Sequence, residues 1–143
     1  MTVLSKALLL FVSFSTSTGC FIADWNETHI YNNRWPPHAK FHNGQTMSMG
    51  ALLGVVTAFY TLRPARTAEL RSHFLDIVAW AGALYWVTQL SAFAYPGSLA
   101  VDPEFGTGAP QVYICAVLLL ALTAGIWLER RALEDLGGAM KAD

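Results

Sequence analysis

Four long stretches of this chain carry almost no charge. Residues 7–23, 77–101 and 111–128 contain no Asp, Glu, Lys, Arg or His, and residues 41–62 contain only His42. Each approaches the roughly 20 residues that cross about 30 Å of hydrocarbon as a helix. No alternation of polar and apolar residues competes in favour of strands. Charged residues make up 13% of the 143-residue chain, about half the usual ~25% of a water-soluble protein. A small soluble body needs more polar surface than that, because its surface is large for its volume. The expectation is an all-α, single-domain integral membrane protein, a four-helix bundle with spans at about 4–23, 37–62, 74–95 and 111–128. Its first partner is then the lipid bilayer.

The basic residues orient the bundle, since Lys and Arg favour the cytoplasmic side. Lys6 precedes the first span, Arg63, Arg66 and Arg71 lie between the second and third, and Arg130 and Arg131 follow the fourth. Four spans put these three regions on one side, so both termini are expected to be cytoplasmic. The loops 24–45 and 96–110 then share the non-cytoplasmic side, with Arg34 and Lys40 as local exceptions beside Asp24 and Glu27. A retained first helix is favoured over a cleaved signal peptide. Its SFSTSTGC run is expected to turn hydroxyls toward partner helices, where they can hydrogen-bond. Gly50 and Gly54 form a GxxxG that suits close helix approach, including helix–helix oligomerisation. Nine Lys and Arg against ten Asp and Glu leave no basic excess, so nothing points to nucleic acid.

The ionisable chemistry concentrates in residues 24–45, DWNETHIYNNRWPPHAKFHNGQ, which hold three of the four histidines. Pro36-Pro37 ends what precedes it and suits the first turn of a helix. His38 and His42 then share a face with Gln45 and Met49, a known way to offer two imidazoles to Zn or Fe. Asp24 and Glu27 are three apart and can share a face at the end of the first helix. A carboxylate and a histidine at the mouth of a bundle can also exchange protons with an apolar substrate without any cofactor. The candidate catalytic residues are therefore Asp24, Glu27, His29, His38 and His42. Candidate substrate-binding residues are Trp25, Trp35, Asn43, Gln45, Met49, Trp86 and Gln89. The aromatic rings would stabilise a carbocation in isomerase or cyclase chemistry on a sterol- or terpenoid-like lipophilic molecule. The plainer account makes Trp25, Trp35 and Trp127 an interfacial belt and the histidines a solvated helix start.

Other features have a structural and a functional account. Cys20 and Cys115 fall at the same end, either as a disulfide or as two buried thiols. Asp76 is expected to pair with an arginine of the 63–71 loop, and Gln89 to hold helices together. Asn26-Glu27-Thr28 fits the glycosylation pattern, but close to the membrane surface.

The run FIADWNETHIYNNRWPPHAKFHNGQTMS, residues 21–48, resembles the signature of the DUF6640 family of small four-span membrane proteins. The resemblance implies that the polar stretch is the family's distinguishing feature, and it assigns no reaction or residue roles. In size and layout the chain is also distantly similar to emopamil-binding-protein-type sterol isomerases, a likeness of architecture, which does not carry function. Three classes stay open: a membrane isomerase or cyclase, a metal- or ligand-binding protein using His38 and His42, and a non-catalytic subunit or scaffold.

Overall fold

The computed structural model describes residues 1–142. Four α-helices account for most of them: α1 (Val3–Asp24), α2 (Pro37–Leu62), α3 (Ala68–Ser91) and α4 (Pro110–Ala142). Each start has a local cause. Thr2 caps α1, its side chain accepting the Ser5 N–H; Thr67 does the same for α3 with Leu70. Such caps satisfy donors that no helical carbonyl can reach. Pro37 occupies the first turn of α2, where a missing N–H costs nothing. The cap at Thr67 starts α3 at Ala68, earlier than the charge-poor span expected from residue 74. A short 3-10 turn, Ala92–Ala94, closes α3, and Gly97 (φ +74°) supplies the left-handed residue of the bend that follows.

Consecutive helices are neighbours, and α4 returns to pack on α1. The result is an up-and-down bundle. One end carries the α2–α3 connection; the other carries the loops 25–36 and 95–109. Leu9, Val12, Leu75, Val78, Trp86, Cys115, Leu118 and Leu122 form the core. The surface is inverted relative to a water-soluble bundle. Ser5, Ser13, Thr16, Thr57 and Thr61 are buried, whereas Phe14, Ile22, Leu52, Trp80, Tyr113 and Leu120 face outward. Val3–Asp24, Ala68–Ala94 and Pro110–Gly137 are long and apolar enough to cross a membrane. That makes three such helices among the described residues, against the four expected. α2 has the length, but His38, Lys40, His42, Asn43 and Gln45 crowd its first turns.

Small residues set the closest contacts. Ser13 Oγ donates to the Gly54 carbonyl at 2.8 Å, and Gly50 and Gly54 are both buried on α2. A Cβ on Gly54 would meet the backbone of Ser13 and Ser17, and one on Gly50 would meet Thr16 O and Tyr85. The GxxxG is therefore an α1–α2 contact inside the chain. At the opposite end of α1, Glu129 of α4 is buried. Its carboxylate accepts from the Thr2 N–H at 3.0 Å and from Ser5 Oγ at 2.9 Å, with the α-amine at 3.3 Å. An anion at a helix N-terminus also meets the positive end of the helix dipole.

One pairing differs from expectation. Asp76 pairs with Arg130 of α4, not with the 63–71 loop, because α3 and α4 lie side by side. Arg71 instead donates to the Arg63 carbonyl, and the Arg63 guanidinium lies 5.4 Å from the Phe59 and Phe74 rings. Cys20 and Cys115 are free, buried thiols. Cys20 Sγ points at the Met47 carbonyl (3.4 Å) and Cys115 Sγ at Gln89 Oε1 (3.7 Å).

Candidate functional site

The polar cap is built on two asparagine turns. Asn26 Nδ2 donates to the Ala23 carbonyl, while its Oδ1 accepts from Thr28 N (2.8 Å) and Thr28 Oγ1 (2.6 Å). Asn32 Oδ1 accepts from the Arg34 N–H at 2.9 Å. Asparagine side chains stabilise such turns by mimicking a backbone carbonyl. Both amide atoms of Asn26 are thus engaged, which leaves the sequon closed in this conformation.

These turns set Asp24 against His29. Asp24 Oδ2 accepts from Asn43 Nδ2 of α2 at 2.8 Å, and its Oδ1 lies 3.8 Å from His29 Nε2. His29 Nδ1 lies 2.6 Å from Thr28 Oγ1. The Thr28 hydroxyl proton points to Asn26 Oδ1, which can only accept. Thr28 Oγ1 is then the acceptor for His29 Nδ1–H, which assigns the ring tautomer. The exchangeable nitrogen, Nε2, is the one that faces Asp24. Trp35 meets the His29 ring edge-on, with centroids 5.0 Å apart.

Trp35 also lines an open cleft of about 400 Å³ with Asn32, Arg34, Asp102, Pro103 and Glu104. An Arg34–Glu104 ion pair ties the two loops together across it. Asn32 is only 5% exposed, and its Nδ2 has no hydrogen-bond partner. A buried donor without an acceptor costs about 1–3 kcal/mol. Asn43 Oδ1 is a second buried atom without a partner. The cleft thus offers a guanidinium, two carboxylates and an indole. That set suits a polar molecule with both acceptor and donor groups.

The candidate residues separate into distinct places. Asp24, His29, Trp35 and Asn43 come together, and Asp102 and Glu104 join Trp35 at the cleft. His38, His42, Gln45 and Met49 lie exposed on α2 and do not line the cleft. Glu27 is exposed; Trp25 is exposed and donates to Tyr31 Oη at 2.7 Å. Trp86 and Gln89 make their contacts inside the bundle. Trp86 is buried and donates from Nε1 to Thr16 Oγ1 at 2.9 Å, and Gln89 meets Cys115. Among the described residues, no group of three or more His, Cys, Asp and Glu is placed to hold a metal ion.

Sequence reasoning passed over Asn32 and Glu129. The Asn-x-Arg spacing of a side-chain-closed turn was the available signal for the first. For the second there was none, because only tertiary packing brings α4 to the start of α1.

The model of a family described as a family of unknown function, DUF6640, matches residues 10–139. No curated protein and no solved structure matches the chain.

Proposed function

The chain belongs to the DUF6640 family, and we propose that it is a four-span membrane protein whose cap holds the polar end of an amphiphile and moves a proton on it. Both termini are cytoplasmic in this reading, and the cap lies on the other side. The outward apolar side chains and the arginines grouped at the end opposite the cap support that arrangement. The amphiphile's headgroup occupies the cleft of Asn32, Arg34, Trp35, Asp102 and Glu104, and its apolar part lies along the bundle in lipid.

The observation that carries the reading is the Asp24–His29 pair beneath Trp35. Asn43 holds the carboxylate at 2.8 Å and leaves its second oxygen toward His29 Nε2. Thr28 holds the other ring nitrogen at 2.6 Å. An imidazole fixed at one nitrogen, with a carboxylate at the other, is set up to accept and return a proton. The core is filled by side chains from Leu9 to Leu122, so the sterol- or terpenoid-type isomerisation expected from sequence narrows to chemistry at the substrate's polar end.

The test compares wild type with Asn32→Ala, Trp35→Ala and Asp24→Asn, each purified from its own host membrane in the same detergent. Retained amphiphiles are extracted and identified by mass spectrometry. Wild type is expected to retain a headgroup-bearing molecule that Asn32→Ala and Trp35→Ala lose. Asp24→Asn is expected to retain a chemically different form of it. An identical extract from all four proteins overturns the cleft as the binding site. The same molecule in wild type and Asp24→Asn overturns the proton-transfer role.

A further inference from the structure

His38 and His42 belong to no part of the cap site, yet they are the most closely paired titratable side chains on α2. Their Nε2 atoms are 3.1 Å apart, and the rings are 4.5 Å between centroids at 78°. Both side chains are exposed. We propose that this pair is a chelating site for a divalent transition-metal cation of the zinc and copper class.

Three observations converge on it. The first is the bite. Imidazole nitrogens bind Zn at about 2.0–2.1 Å, and two such bonds ending on atoms 3.1 Å apart enclose an angle of about 100°. That value lies between octahedral and tetrahedral geometry, so the nitrogen–nitrogen distance suits one ion bound to both. The second is the tautomer. His42 Nδ1 lies 3.3 Å from Gln45 Oε1, and an amide oxygen only accepts. His42 therefore carries its proton on Nδ1 and accepts at Nε2 from His38 Nε2–H, and binding an ion shifts the His38 proton to its Nδ1. Metal-binding histidines are typically held this way, with the second ring nitrogen donating to a carbonyl or carboxylate. The third is the scaffold. Residues four apart on a helix stay on one face, and Pro36-Pro37 anchors the turn that carries His38. The arrangement is preformed by the backbone and does not wait for the ion to gather its ligands.

Two imidazoles leave the remaining coordination positions to water. Nitrogen donors without nearby thiolate favour zinc, copper and nickel over magnesium or calcium, which prefer oxygen. The buried thiols Cys20 and Cys115 are engaged inside the bundle and do not complete the site. The proposal is independent of the amphiphile reading, since none of the cleft residues takes part.

The test uses the full chain in detergent micelles and Zn²⁺ alone, with a chromophoric chelator in competition. Wild type is expected to take up about one Zn²⁺ per chain with saturable affinity. His38→Gln and His42→Gln are each expected to abolish saturable uptake while helix content and elution volume stay the same. Gln45→Leu is expected to retain uptake with affinity about 10-fold weaker, the usual lower limit for loss of an orienting partner. Mg²⁺ at the same concentration is expected to give no uptake. Wild type without saturable Zn²⁺ uptake overturns the proposal. So does a His38→Gln/His42→Gln double variant that binds as wild type does, because the ion would then lie elsewhere. Asn32→Ala serves as the cleft control, and its uptake is expected to match wild type.

Discussion

Replacing Gly54 with alanine tests how the bundle is held together. An ideal Cβ at this position lands 2.6 Å from the Ser13 carbonyl oxygen and 2.8 Å from the Ser17 backbone nitrogen, and it overlaps Ser17 Oγ as well. Ser17 Oγ can rotate away, but the two backbone atoms cannot, so α1 and α2 must separate. Overpacking of this kind costs about 1–3 kcal/mol. Separation also lengthens the 2.8 Å bond from Ser13 Oγ to the Gly54 carbonyl, worth about 0.6 kcal/mol between membrane helices. The better helix propensity of alanine returns about 1 kcal/mol. The net expectation is a loss of about 0.6–2.6 kcal/mol. Gly44 supplies the control on the same helix, since a Cβ there meets nothing within 4 Å; Gly44→Ala should be neutral or stabilising by up to about 1 kcal/mol. The assay is reversible unfolding in mixed micelles with increasing SDS fraction, read by far-UV circular dichroism. If Gly54→Ala proves as stable as Gly44→Ala, the close α1–α2 approach does not hold the bundle.

Three further substitutions probe other contacts. Glu129→Ala strands the Thr2 N–H, while the Ser5 hydroxyl can turn to the Thr2 carbonyl at 3.1 Å; it should cost about 1.5–3 kcal/mol in the same assay, the range for a hydrogen bond to a charged group. Glu134→Ala, which loses only the exposed partner of Arg131, should stay within about 0.5 kcal/mol. Trp86→Phe removes the donor to Thr16 and should cost about 0.6 kcal/mol or more, whereas Trp80→Phe at a 72% exposed site should change little. Arg34→Ala should leave global stability within about 1 kcal/mol, as exposed ion pairs do, while limited proteolysis cuts faster in the loop between α3 and α4.

The helical layout was legible because its signals are local. Pro36-Pro37 marks the start of α2, and the hydroxyls of the SFSTSTGC run do turn inward at Ser13 and Thr16. The candidate site was legible only in part. A four-residue spacing relates His38 to His42, but it says nothing about how α2 is rotated about its axis. That rotation is set by Gly50 and Gly54 docking on α1. Stepped back along the helix, the same seam buries Asn43 and Met47 and leaves His42 and His38 about a third of a turn or more off it. The glycines thus held the missing information, once their partner was known to be α1 and not another copy. Asp76 failed for a related reason. Nearness in sequence favoured the 63–71 loop, while packing of α3 on α4 brought Arg130 closer.

α2 is the one helix whose composition does not mark it as a span, and its most intimate contact is with α1. On the membrane reading this bears on biogenesis. A chain made from its N-terminus completes α1 before α2 emerges. Ser13 and Ser17 are then in place to receive Gly54 as α2 arrives, so the two enter lipid as a hairpin. The polar first turns of α2 stay outside as the hairpin's rim. Loss of Ser13 and Ser17 together should therefore appear first as a topology defect in newly made protein, with α2 left at the surface, before any effect on the mature fold.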